Sequence, residues 1–237
     1  FLGTCFDINA LRASWNEQYS PAMCAVMDTA VEIALGDQVT SYIEAFTQAM
    51  DQRLRQWGDV DPNEMPFAQV LEDIELLIRG RDRIELLLSI KDIPVHVFGL
   101  ENGGDAGWDH YLKRAPGNIT FHGAVTYPEG LEIMKQSRII VNSCPSIKWG
   151  AHERIFSGFL AGAAVLTNDN GYIRHIFEPH REILLYRHDA YDQVTSTLQR
   201  FLDSEADRSE MIERARQKVL AEHTWDHRAH ALISHLD

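Results

Sequence analysis

From about Arg79 onward the chain holds to one rhythm. Short apolar runs alternate with segments whose apolar residues recur at three- and four-residue spacing. RDRIELLLSI reads as a helix, PVHVFGL and NITFHGAV as strands, EGLEIMKQS as a helix and RIIVNSCP as a strand. HERIFSGFLAGAAVLTND supplies a helix and then a strand, IRHIF a short helix and EILLY the last strand. YDQVTSTLQRFLD and SEMIERARQKVLAEHTWDHRAHALIS close the chain as helices. Strands joined through helices pair in parallel by right-handed crossovers, which puts helices on both faces of one sheet.

Ahead of this region the pattern differs. FLGTCF (1–6) is short, apolar and Gly-punctuated, like a buried strand, and can join the sheet as its first strand. VEIAL, SYIEAFTQAM and FAQVLEDIELLI then show only helical spacing, with the loop WGDVDPNEMP (57–66) between them. The predicted fold class is α/β: a Rossmann-like parallel sheet formed by 1–9 and 79–237, with an all-helical insertion at 10–78.

Composition removes several functions. A net charge of −13 argues against nucleic acid or an anionic membrane as the main partner. No run approaches the ~18 apolar residues of a membrane span. Cys5, Cys24 and Cys144 are sparse, odd in number and without CxxC pairing, as in a reducing compartment, so a cytoplasmic location is expected. The first residue is Phe, so the chain is expected to be part of something longer. GxSxG, GxxxxGK[ST] and GxGxxG do not occur, which removes the commonest hydrolase, NTPase and dinucleotide signatures.

In an open parallel sheet, ligands bind outside the carboxyl ends of the strands. The loops of interest follow FLG, VFG, FHG, VNS and VLTND, which brings forward Gly3, Thr4, Gly99, Gly123, Val125 and Asn142. Glycine there serves a tight turn or lets a ligand approach the main chain. A helix starting near Gly150–His152 places Ile155, Phe156, Phe159 and Leu160 on one face and Glu153 with Ser157 on another. Ala161-Gly162 ends it with a left-handed glycine. Its first turn offers free N–H groups to an anion, and Lys148, His152 and Arg154 add donors for a phosphate. Glu153 suits sugar or ribose hydroxyls, or acts only as a partner of the helix dipole.

The run ITFHGAVTYPEGLEIMKQSRIIVNSCPSIKWGAHERIFSGFLAGAAVLTND resembles the donor-binding half of group 1 GT-B glycosyltransferases, and more closely their spore-maturation (CgeB-like) branch. FLGTCF, RDRIELLLSI, PVHVFG and AEHTWDHRA resemble that branch's first strand, Arg-bearing helix, second strand and closing His-Thr-aromatic-x-x-Arg segment. The resemblance covers 1–9 and 79–230 and leaves the helical insertion uncovered. It implies a nucleotide-diphospho-sugar donor with its diphosphate at the start of the 152–161 helix and its base near Gly123–Val125. It also implies metal-independent, retaining transfer to a glycan, lipid or protein acceptor, as in polysaccharide biosynthesis. Arg154 and Lys148 would stabilise the leaving diphosphate, and the N-terminal GT-B domain would be missing from this chain. The family's two glutamates align with Trp149 and Ser157; Glu153 lies between them and is the candidate replacement.

Weaker signals read as structural. Asp59-x-Asp61 sits in a Pro-flanked loop, and His223, His227 and His230 lack a companion ligand set, so no metal site is expected. Trp225 and Arg228 are expected to pack the last helix onto the sheet. Cys144, with no base beside it, reads as packing. The rivals to a transferase are a nucleotide-sugar epimerase or hydrolase on the same fold, and a non-catalytic interaction domain derived from it.

Overall fold

The computed structural model describes residues 1–54, 66–102, 107–113 and 117–235, and the Asp59-x-Asp61 pattern lies outside them. Among the described residues the strands are β1 (Cys5–Phe6), β2 (Val95–Val97), β3 (Glu101–Asn102), β4 (Ile119–Phe121), β5 (Ile139–Val141), β6 (Ala164–Asn168) and β7 (Leu184–Tyr186). Every ladder is parallel. β2 pairs with β4, with Val95 opposite Ile119, and β1 pairs with β3, with Cys5 opposite Glu101. A bridge from Leu2 to Phe98 continues that second ladder towards β2. β6 lies between β5 and β7, with Val141 and Leu184 both opposite Leu166. The α/β class expected from the alternating pattern is the observed one, but among the described residues the ladders form three sheets, β1-β3, β2-β4 and β5-β6-β7, and not the single sheet expected.

Successive residues on β5 and β6 face opposite layers, as strand geometry requires. Val141, Ala164 and Leu166 join a core with Leu86, Leu87, Trp108 and Leu198. Ile140 and Val165 join the other core, with Ile155, Phe159, Ile173 and Val219. All five residues of β6 are buried, as a central parallel strand covered on both faces should be.

The helical region has α1 (Ile8–Gln18), α2 (Pro21–Gly36), α3 (Tyr42–Leu54) and α4 (Phe67–Ser89). It has a core of its own, in which Trp15, Met27 and Phe46 are buried. The boundary drawn at 78/79 falls inside α4. Val70, Ile74, Leu77 and Ile78 of this 23-residue helix pack in the helical core, while Ile84, Leu86 and Leu87 pack against the sheet. One helix therefore serves two cores.

The other helices are α5 (Trp108–Leu112), α6 (Tyr127–Lys135), α7 (Glu153–Leu160), α8 (Gly171–Ile176), α9 (Val194–Asp203), α10 (Glu205–Glu222) and α11 (Trp225–Ile233). α7 stops where expected, at Gly162 with φ +87°, a conformation a side chain would strain. β3 and α5 are too short to show a period and have no counterpart in the sequence reading. The closing helical segment breaks at Thr224, which caps α11 by bonding His227 N. Trp225 does not pack onto the sheet: it is 81% exposed, and α11 buries none of its residues.

Candidate functional site

A groove of about 380 Å3 opens beside the segment that leads into β1, beyond the carboxyl ends of β2 and β4, and at the start of α7. Gly3, Thr4, Phe98, Gly99 and the run Val125 to Tyr127 line it. His152, Glu153 and Arg154 close it. Gly99 is required by packing between strands, because a Cβ there would lie 1.8 Å from the Gly3 carbonyl oxygen.

Positive charge gathers beside the groove. Arg154 donates through Nη1 to Leu2 O, and Arg83 of α4 donates through Nη1 to Thr4 O at 2.8 Å. These main-chain carbonyls hold both guanidiniums beside the segment that leads into β1. Arg83 and Arg79 both lie over the Phe6 ring, 5.3 Å from its centroid. Among the described residues neither Arg83 nor Arg154 is in an ion pair, and Arg83 Nε is buried without a hydrogen-bond partner. Burial, and then repulsion from Arg79 and Arg154, pushes Arg83 down to about 10. Burial also lowers Arg154. A buried guanidinium without a counter-ion costs folding free energy, and an anion in the groove would recover it.

His152 is the N-cap of α7, with Nδ1 accepting from Arg154 N at 3.2 Å. That bond needs a bare nitrogen. Burial, followed by the charges of Arg154, Arg83 and Arg79, holds His152 down to about 4, so the cap is neutral near pH 7. Glu153 keeps its carboxylate towards Ser157, whose Oγ donates to it at 3.1 Å.

Other expected site residues lie elsewhere. Lys148 does not reach the groove: it is 2% exposed, with Nζ bound to Ala34 O at 2.7 Å and Asp37 O at 2.9 Å. Asn142 is buried between β5 and β6, its Nδ2 on Thr167 Oγ1 at 2.9 Å. Gly150 offers its carbonyl to Asn170 Nδ2 at 3.2 Å. Gly123 turns the chain at φ +73°, its carbonyl accepting from Gly99 N at 2.7 Å. Ser157 borders the groove only through Glu153. The Cys144 thiol is pushed up by burial, which suits packing better than a nucleophile.

A model of the glycosyl transferase-like family matches residues 80–234. The chain belongs to this family. In structure it is similar to Anabaena HepE, determined with UDP and glucose, at 12% identity and a TM-score of 0.50, over 92% of this chain and 66% of that one. It also matches TarM at 15% identity and a TM-score of 0.49, over 65% of this chain and 31% of that one. The chain thus spans about a third of TarM and about two thirds of HepE. The likeness to HepE places it in the GT-B fold. No curated protein matches in sequence. Among the described residues no helix is long and apolar enough to cross a membrane, and no group of three or more His, Cys, Asp or Glu side chains could hold a metal ion.

Two residues of this glycosyltransferase-like chain were missed as site components, and both leave a trace in the sequence. Arg83 recurs with Gly80, Ile84 and Leu87 at the spacing of a core-facing stripe, and Asp82 with Ile78 and Leu86. A charge on an apolar stripe needs a buried partner. Asp82, wholly buried, accepts from Ser143 Oγ at 2.5 Å, Tyr186 Oη at 2.7 Å and Tyr191 Oη at 2.6 Å, and pairs with His188 Nδ1 at 2.8 Å. Burial alone would raise this carboxyl, but His188 and the hydroxyl donors outweigh it and hold Asp82 below the ordinary value. Adjacent residues of α4 thereby fasten the ends of β5 and β7 and reach the segment that leads into β1.

Proposed function

We propose that this chain is the donor-binding half of a glycosyltransferase that moves a sugar from a nucleotide-diphospho-sugar to a glycan, lipid or protein acceptor. The observation that carries the reading is the pair Arg83 and Arg154: the first buried behind Thr4, the second lining the groove, both bonded to main-chain carbonyls and, among the described residues, free of ion pairs. The diphosphate sits against this pair and the first turn of α7, and the base lies towards Val125–Tyr127. Fixed guanidiniums stabilise the leaving diphosphate in the role a cation would otherwise take, so transfer proceeds without metal; retention of configuration enters the reading from the resemblance to group 1 enzymes. Glu153 and Ser157 hold sugar hydroxyls. The likeness to HepE, which was determined with UDP and glucose, supports the ligand class.

Within the family we assign the chain to the spore-maturation branch, on Arg154 and the His223–Arg228 segment. We place it in the cytoplasm, where thiols such as those of Cys24 and Cys144 stay reduced. The division into a sheet domain (1–9 and 79–237) and an inserted helical block (10–78) is part of the same reading, with a second GT-B domain supplying the acceptor side.

Calorimetric titration with UDP, GDP, CDP and ADP, first without metal and then with magnesium, tests it. One diphosphate is expected to bind without metal, and Arg154→Ala is expected to weaken it by about 10- to 100-fold. Silence with all four, or binding indifferent to Arg154, refutes the reading. Release of free sugar with water as the sole acceptor identifies a hydrolase instead.

A further inference from the structure

Residues 148 and 149 invert the usual partition of side chains. Lys148 is 2% exposed and Trp149 is 67% exposed, although lysine is among the residues least often buried and an indole is a large apolar surface. The ammonium is held by carbonyls at the end of α2, where the helix leaves its last acceptors open and its dipole is negative. On the other side Asn170, itself buried, donates to Ile147 O at 3.0 Å and Gly150 O at 3.2 Å. The main chain is therefore fixed on both sides of Trp149. The indole stands against Gly171, where a Cβ would come within 3.0 Å of ring carbons. A loop that anchors a charge inside and holds a tryptophan in water is arranged to present the ring.

We propose that Trp149 is the platform on which the pyranose ring of the donor sugar stacks, an inference that rests on the nucleotide-sugar reading above. His152 lies three positions after Trp149, a span of at most about 11 Å. His152 lines the groove with Glu153 and Arg154. On this proposal the sugar, on the outer phosphate of a diphosphate held by Arg83 and Arg154, lies within that reach. A pyranose has C–H faces and a hydroxyl rim. Its weakly positive C–H groups suit the negative face of an indole, and its rim suits Glu153, whose side chain is 44% exposed. A rigidly mounted ring adds this contact at little cost in side-chain entropy.

The test uses 1H–15N spectra of the chain, with the Trp149 indole signal assigned by its loss in Trp149→Phe. The ligand pairs are UDP and UDP-glucose, GDP and GDP-mannose, and ADP and ADP-glucose. The sugar nucleotide is expected to move the Trp149 signal and the bare diphosphate to leave it in place. Trp149→Ala is expected to weaken the sugar nucleotide by about three- to tenfold while leaving the diphosphate within about twofold. Equal movement with both members of a pair overturns the proposal and makes the ring a base platform. An unmoved signal, with diphosphate binding still sensitive to Arg83→Met, overturns the platform and leaves the nucleotide reading standing. No binding by any pair overturns both.

Discussion

The helical core and the carboxyl end of the sheet spend their buried volume differently. Around Trp15, Met27 and Phe46 the buried side chains are apolar, with Asp73 at the margin accepting from Tyr19 Oη at 2.7 Å. At the sheet end, Asp82, Arg83, Asn142, Ser143, Lys148 and the run Thr167 to Asn170 are all buried and polar. The first region is held by burial of apolar surface, which asks little of geometry. The second depends on bonds that must each be aimed, since a buried polar group without a partner costs about 1–3 kcal/mol. The contrast falls where the proposed function puts the ligand.

The strongest way to break this contrast is to damage both regions equally. Phe46→Ala and Asp82→Ala should each cost about 3–5 kcal/mol in urea unfolding, the first by leaving a cavity and the second by stranding His188 and three hydroxyls. Only Asp82→Ala should also weaken nucleotide binding in the folded fraction. If Phe46→Ala weakens it equally, the two regions are not separable. Arg83→Met sharpens the point. It keeps the packing on Phe6 and removes a charge repelled by Arg79 and Arg154, so the ligand-free protein should melt at the same temperature or higher. Diphosphate affinity should fall by about tenfold or more. A clear loss of melting temperature would show that Arg83 serves the fold.

Lys148→Met should cost about 1–3 kcal/mol, because two helix-end carbonyls lose a charged donor. It should also broaden the Trp149 indole signal as the loop loosens. A further effect is set by pH. His152 is held at about 4 in the folded chain against 6.5 when free, so between these values the unfolded chain binds the extra proton. The contribution of His152 is complete above pH 6.5 and is lost as pH falls towards 4. His152→Asn, which keeps an N-cap, should flatten that slope in melts taken across the range. A bound diphosphate should move the His152 value upward, visible in its ring NMR shifts.

What the sequence by itself determined is the parallel α/β class, the α7 helix with its stop at Gly162, and the place of the groove. Each follows from local periodicity and from a residue's own backbone preference, which act over a few positions. His152, Glu153 and Arg154 are adjacent in the chain and stay adjacent at the groove. Tertiary structure alone decided the direction of the buried charges. Lys148 finds its acceptors 114 and 111 residues away, Arg83 bonds Thr4 across 79, and Asp82 gathers Ser143, Tyr186 and Tyr191 across 61 to 109. Such partners are chosen by which carbonyls and hydroxyls two packed cores leave open at their junction. A helix shared by both cores, α4, brings Asp82 and Arg83 to that junction, and no spacing in the sequence encodes the distance.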